Sequence, residues 1–431
     1  KTPGVSDTYG DVRQEAVVTG NRRGGRYMEN CVVSCINSIE LGKSAVHGRM
    51  EVVPLVSTGD PGPQYLMLDQ ALSQRRIVIT EVSREGSVPQ LKVENRGKTP
   101  VLLLDGEELA GAKQNRVLNT TILVPGESEI EIPVTCTEQG RWSYASPHFS
   151  DSMVMMNYRT RSRKMSSVSS SLRERHASRR SDQAGIWNDI NEMCELSGVS
   201  SPTGAMKDLY ESQKKKMDGF LAAFPVQEGQ QGVIVSLDGV PAGIEFLSRP
   251  AAYARIHDKL VRSYALEALI DRKPVASPGD RERPEAFLQR IASSSSESYP
   301  AVGLGTECRL EGQDLAGSAL HHEGVVVHMV CFAGAGDEAF EVNRAGFRQR
   351  RASYASRSQR RDPSDHSIPP CGPASPQPSS PTGNATSASN SCKSFPAPPS
   401  DRPCSCPTGP SAAASSPSGL AGRRSIPASS R

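Results

Sequence analysis

The chain has 431 residues with 50 Lys+Arg against 47 Asp+Glu, and only 36% of it is hydrophobic and 5% aromatic, which is low for a chain folded from end to end. No run approaches the ~20 apolar residues of a membrane-spanning helix, so an integral membrane protein of that kind is excluded. The last 81 residues hold 9 Lys+Arg and 3 Asp+Glu; the rest carries 41 basic and 44 acidic residues, without the basic surplus of a nucleic-acid binder.

In chain order, residues 1–36 are polar and Gly-rich and read as a loose leader. From 49 to 142 the period is two, the mark of β-strands. Ile77 to Val82 is one strand, and Leu91 and Val93 alternate with Lys92 and Glu94. Val101 to Leu104 is a continuous apolar run, as in a buried central strand. Glu129-Ile130-Glu131-Ile132 alternates cleanly, so one face is wet. Asn95-Arg96-Gly97 and Pro125-Gly126 are turns between these runs, and Tyr65 to Leu72 reads as a short helix. Residues 150–183 hold eight basic residues around the Ser-rich 166–171, read as a solvated helical stretch because charge runs usually face water, with a phosphate-binding face as the alternative. A helical region spans 180–224. Met206, Leu209, Tyr210, Met217, Phe220, Leu221 and Phe224 fall on one helical face and predict core. An α+β region over 231–333 follows, with strands at 233–235 and 244–247 around Asp238-Gly239, a helix from Ala251 to Ile270, and strands near 318–320 and 325–332. Residues 334–431 form a low-complexity tail; 21 Ser and 15 Pro among the last 81 residues predict disorder.

The fold class expected is therefore α+β: an antiparallel β-sandwich-like or curved sheet over 37–333 with a helical insertion, then a disordered C-terminal tail. Leu104-Asp105-Gly106 is echoed at Leu310-Glu311-Gly312 and Leu237-Asp238-Gly239. The echo leaves open either a duplicated β unit or convergent hairpin chemistry.

The ten cysteines contain no CxxC pair, and no apolar signal segment stands near the start, so reduced thiols and a cytoplasmic location are expected. His321-His322-Glu323 with His328 lacks the spacing of a zinc site, and no metal ligands are assigned.

The densest polar cluster is Asp105-Gly106-Glu107-Glu108 followed by Lys113-Gln114-Asn115-Arg116. Side chains leaving a rigid buried strand are held in place, as a site requires. Asp105, Glu107 and Glu108 are the candidate acid–base groups, or ligands of a divalent cation such as Mg²⁺. Lys113 and Arg116 are placed to hold phosphate oxygens. The plain alternative is a charged hairpin tied by its own ion pairs.

Several motifs carry a family likeness: Tyr65-Leu66-Met67-Leu68-Asp69, Leu103 to Leu109, Gly111-Ala112-Lys113-Gln114-Asn115-Arg116-Val117-Leu118-Asn119-Thr120, Glu138-Gln139-Gly140-Arg141-Trp142, and Ser181-Asp182-Gln183 with Trp187. Through them the chain resembles, over about 37–333, the domain family named for its association with ADP-ribosylglycohydrolases and rhodanese-phosphatases. The resemblance implies an intracellular protein of NAD and ADP-ribose metabolism whose ligand is a nucleotide-derived small molecule. An enzyme, most simply a hydrolase, would use Glu107 and Glu108 for chemistry. It would use Lys113, Gln114, Asn115 and Arg116 for binding, with Trp142 to stack on a base or ribose. Arg141, Asp182 and Gln183 are further binding candidates. A non-catalytic sensor or interaction module for the same ligands is the alternative.

Overall fold

In the computed structural model, α1 (Asn30–Asn37) leads into β1 (Ile39–Leu41), β2 (Ala45–His47) and β3 (Met50–Ser57). The structure describes residues 30–174, 178–270 and 281–334. Next come β4 (Leu66–Met67), α2 (Leu68–Ser73), β5 (Ile77–Glu81), β6 (Gln90–Asn95), β7 (Val101–Leu103) and β8 (Glu107–Gly111). They are followed by β9 (Arg116–Leu118), β10 (Ile122–Val124), β11 (Ser128–Cys136) and β12 (Phe149–Met155). Three helices follow: α3 (Tyr158–Arg173), α4 (Gln183–Ser197) and α5 (Met206–Ala223). The rest is β13 (Gly232–Leu237), β14 (Val240–Leu247), α6 (Pro250–Leu269), α7 (Pro284–Ala292), β15 (Ser295–Pro300), β16 (Thr306–Gly312), β17 (Leu315–His322) and β18 (Val325–Ala333).

These strands make the expected α+β architecture of largely antiparallel sheets. The largest has nine strands in the order β1-β3-β13-β14-β18-β17-β16-β15, with β2 also on β3. A second has six, in the order β12-β8-β9-β11-β6-β5. A third has three, β10-β7-β4, in which β4 and β7 run parallel. The continuous apolar run of β7 therefore sits in the centre of its sheet, as its lack of alternation requires. In β5 the alternation is clean: Ile77, Ile79 and Glu81 are buried while Val78 and Thr80 are not. Asp238-Gly239 and Gln313-Asp314 are two-residue hairpin turns, with Leu237 opposite Val240 and Gly312 opposite Leu315. The echo at 104–107 is a different object. There the chain turns from β7 in one sheet to β8 in another, closed by Glu107 N–H donating to Leu104 C=O at 3.1 Å.

The helices follow from local chemistry. The Asp182 carboxylate caps α4 by accepting the Gly185 N–H, and Gly198 ends it at φ 65°. α5 buries Met206, Leu209, Tyr210, Met217 and Phe220, the stripe read from its spacing. Pro250 occupies the first turn of α6, where a missing N–H costs nothing. Differences from the sequence reading are local. α1 forms within the stretch read as a loose leader, burying Val32 and Ile36. Tyr65 to Leu72 is not all helix, because β4 first pairs with β7. Leader residues 1–29 and tail residues 335–431 lie outside the described residues.

The main correction concerns α3. Its charge run does not simply face water: Arg161 and Lys164 are fully buried, on the same helical face as Met165, Val168 and Leu172. Arg161 donates from Nε to Asp105 Oδ1 at 2.8 Å, and from its two terminal nitrogens to both Glu245 oxygens at 3.0 and 2.7 Å. Lys164 Nζ lies 2.6 Å from Asp105 Oδ2. His328 Nε2 is 2.8 Å from Glu245 Oε1, and its Nδ1 is 2.8 Å from the Thr121 hydroxyl. One guanidinium thus joins the β7–β8 turn to β14 of the nine-stranded sheet. Gly106 makes the approach feasible: its φ is +85°, and a Cβ there would lie 2.5 Å from Arg161 Nε.

Removing one partner of a buried pair strands the others. Arg161→Met, which leaves Asp105 and Glu245 without their shared cation, is expected to destabilise the fold by about 3–5 kcal/mol in urea unfolding. A loss below about 1 kcal/mol, the scale of an exposed pair, would show that the network is not structural.

Candidate functional site

Strand β8 and the turn before it hold the three acidic candidates, and each has a different setting. Burial alone would raise the Asp105 carboxyl, but Lys164 and Arg161 outweigh it and keep it below the usual range. Glu107 Oε2 accepts the Leu104 N–H at 3.0 Å, and its Oε1 is 2.8 Å from Lys259 Nζ of α6. The same ammonium reaches Asp151 of β12 at 2.6 Å. Asp105 and Glu107 are thus engaged with cations of the helical layer.

Glu108 points to neither cation. Its Oε1 accepts from the Thr137 hydroxyl at 2.6 Å, and its Oε2 makes no hydrogen bond of good geometry. Burial pushes this carboxyl up to about 7, against the lowering influence of the Thr137 and Ser152 hydroxyls.

The basic candidates gather elsewhere, around the loop after β11. Lys113 Nζ donates to Glu85 C=O at 2.5 Å and lies 5.2 Å from the Trp142 ring centroid and 5.3 Å from that of Tyr144. Both rings are about half exposed, at 49% and 53%. An ammonium at this distance from two ring faces is held by their quadrupoles. Arg116 lies beneath, 5.7 Å from the Trp142 centroid. Its Nη1 donates to Gln114 Oε1 at 3.0 Å and Asn115 C=O at 3.3 Å. Its Nε and Nη2 are buried and make no hydrogen bond, and burial lowers its pKa.

The remaining residues build the frame around these cations. Gln114 Nε2 donates to Glu138 C=O at 2.8 Å, and the Asn115 N–H donates to Glu138 Oε2 at 3.1 Å. Arg141 clamps Glu138 with Nε to Oε1 at 2.9 Å and Nη2 to Oε2 at 2.6 Å, and also reaches Asn115 Oδ1 at 3.1 Å. Gln183 pairs its amide with the Cys136 backbone, accepting at 2.9 Å and donating at 2.8 Å. Cys136 Sγ in turn donates to Gln114 Oε1 at 3.2 Å. Asp182 is spent on capping α4.

The geometry therefore brings Lys113, Gln114, Asn115, Arg116, Arg141 and Trp142 into one cluster, with Gln183 reaching it through Cys136. It does not bring Asp105 and Glu107 there. Position along the ladder separates the two sets: Glu107 at the start of β8 reaches Lys259 of α6, while Arg116 of β9 stands opposite Leu109 and turns under Trp142. Glu81, Tyr144 and Cys136 belong to the cluster and were not site candidates in the sequence, and Glu138 entered there only as part of the Glu138–Trp142 motif. Of the first three only Glu81 left a signal, as the last inward position of β5. His328 is held by Thr121 and Glu245, while His322 sits at the hairpin end opposite Val325.

A family profile described as the ARG and Rhodanese-Phosphatase-superfamily-associated Protein domain matches residues 38–332. No curated protein and no solved structure gives a significant match to the chain.

Glu108 has a measurable consequence. Its carboxyl titrates near 7 when folded and near 4.5 when unexposed to burial, so the folded state binds the proton more tightly. Stability then falls as pH rises from about 4.5 to about 7 and levels off above. Glu108→Gln removes this cost. The variant should match wild type near pH 4.5 and exceed it at pH 8 by on the order of 3 kcal/mol in urea unfolding. An equal gap at both pH values would contradict a raised carboxyl.

Proposed function

The chain belongs to the ARG and Rhodanese-Phosphatase-superfamily-associated Protein domain family, and from that premise we propose that it binds a phosphate-bearing nucleotide derivative of the ADP-ribose class at the Trp142 face. One observation carries the reading. The Arg116 guanidinium is fully buried with two nitrogens lacking any acceptor, under a half-exposed indole and beside Lys113. A buried cation with unmet donors is costly. A phosphate accepts from such a fork in the geometry that arginine favours. The indole over Arg116 and the Tyr144 phenol, both half exposed, supply stacking faces for a base. With Asp105 and Glu107 paired to Arg161, Lys164 and Lys259, ligand binding is the reading this geometry favours over chemistry.

Hydrolysis is the second reading, favoured by Glu108. A carboxyl that titrates near 7 with one uncommitted oxygen has the properties of a general acid–base group.

A thermal-shift series with AMP, NAD and ADP-ribose, with and without Mg²⁺, tests the binding. Wild type should be stabilised by at least one of them. Arg116→Met should lose that shift while the free protein keeps or gains stability, because the unmet donors are gone. If Arg116→Met instead unfolds the free protein, the guanidinium is structural and the proposal falls. Product formation by wild type, lost in Glu108→Gln with binding retained, would support hydrolysis; no turnover by wild type supports a binding module.

A further inference from the structure

We propose that the cleft between the 88–89 turn, the end of β11 and the start of α4 is a subsite for a phosphorylated sugar, with Arg180 selecting the anionic group. The inference rests on the nucleotide reading of the Trp142 face, of which this would be the neighbouring subsite.

The cleft has a volume of about 260 Å³. One side is apolar, from Val88, Pro89 and Val134. The other is polar, and most of its groups are already engaged. The Gln183 amide is committed at both ends to the Cys136 backbone. Thr135 donates its hydroxyl to Asn119 Oδ1 at 2.6 Å and contacts the Ser181 hydroxyl. These groups form a rigid wall and leave Arg180 as the lining residue with uncommitted charge. Its guanidinium has no ion pair or hydrogen bond among the described residues, whereas the adjacent Arg179 is paired with Glu307 at 2.7 Å. No carboxylate lines the cleft. The nearest acid in the chain, Asp182, is turned away to accept the Gly185 N–H at 3.1 Å. The local field therefore favours an anion.

Size decides how much of a ligand fits. Pockets that enclose a whole drug-sized molecule start at about 300 Å³, so this cleft suits one phosphosugar unit and not a dinucleotide. Position links it to the Trp142 face. Val88 follows Gly86 by two residues, a span of at most about 7 Å, and a Cβ on Gly86 would lie 3.5 Å from Trp142 Cζ2. A ligand with its base on Trp142 and Tyr144 can thus lay its second phosphosugar along this turn into the cleft.

Calorimetric titration of the full chain with ribose 5-phosphate tests the subsite by itself, and AMP tests the Trp142 face. Ribose 5-phosphate should bind wild type and Trp142→Ala alike, and about tenfold or more weaker to Arg180→Gln, the loss of a charge-assisted contact. Arg180 is exposed and unpaired, so Arg180→Gln should keep the wild-type melting temperature. AMP should depend on Trp142 and not on Arg180. Ribose 5-phosphate failing to bind wild type at millimolar concentration, or binding Arg180→Gln equally well, overturns the subsite. AMP failing while ribose 5-phosphate binds through Arg180 removes the Trp142 reading and leaves the cleft standing.

Discussion

Arg161 is the point on which the described fold turns. It is a helical residue whose guanidinium reaches a sheet-to-sheet turn at Asp105 and an interior strand at Glu245, with Lys164 and His328 completing the network. Taking these charges out of water is expensive, and their attraction repays that cost only when the geometry is this complete. The network therefore fixes which face of α3 points inward, how closely the Asp105 turn approaches it, and why residue 106 lacks a side chain. Burial brings Lys164 down to about 8, Asp105 notwithstanding, while Glu245 and Asp105 hold Arg161 charged against its own burial.

That commitment shapes the functional reading. A cluster dense in Asp and Glu after an apolar strand invites a catalytic interpretation, and for Asp105 and Glu107 the ion pairs with α3 and α6 supply a structural reason for the same residues. What the structure leaves uncommitted lies further along the β8–β9 ladder, where Arg116 stands opposite Leu109: a buried guanidinium with free donors and two half-exposed rings. The frame holding these parts is a rigid mesh of Gln114, Asn115, Glu138 and Arg141, as a preorganised binding face requires.

The sequence made the sheets legible wherever one face of a strand is wet, because period two then shows directly, as in β5 and β11. The core stripe of α5 was equally plain, and the two-residue turn at Asp238-Gly239 announced its hairpin, whereas the Glu311-Gly312 echo lies at the end of β16 with the turn one step later at Gln313-Asp314. The family-defining block from Lys113 to Arg116 and the Trp142 motif also proved to be spatial neighbours. The inward turn of α3 was hidden because charge outweighs spacing in a local reading; Arg161 and Lys164 share the i, i+3, i+4 stripe of Met165, Val168 and Leu172, and that stripe was the available signal. Long-range partners such as Glu245 and Lys259 leave no local trace, since the pairing exists only once the sheets and helices have packed.

The chain has two tryptophans, and both belong to one neighbourhood. Trp142 lies over Arg116, while Trp187 of α4 lies beside the Cys136 thiol, which Arg116 also influences. Intrinsic indole emission from this protein is therefore a local probe of a single region: one fluorophore half in water, the other beside a thiol. Whatever enters or rearranges there changes the colour and yield of the whole molecule's light, without any label being attached.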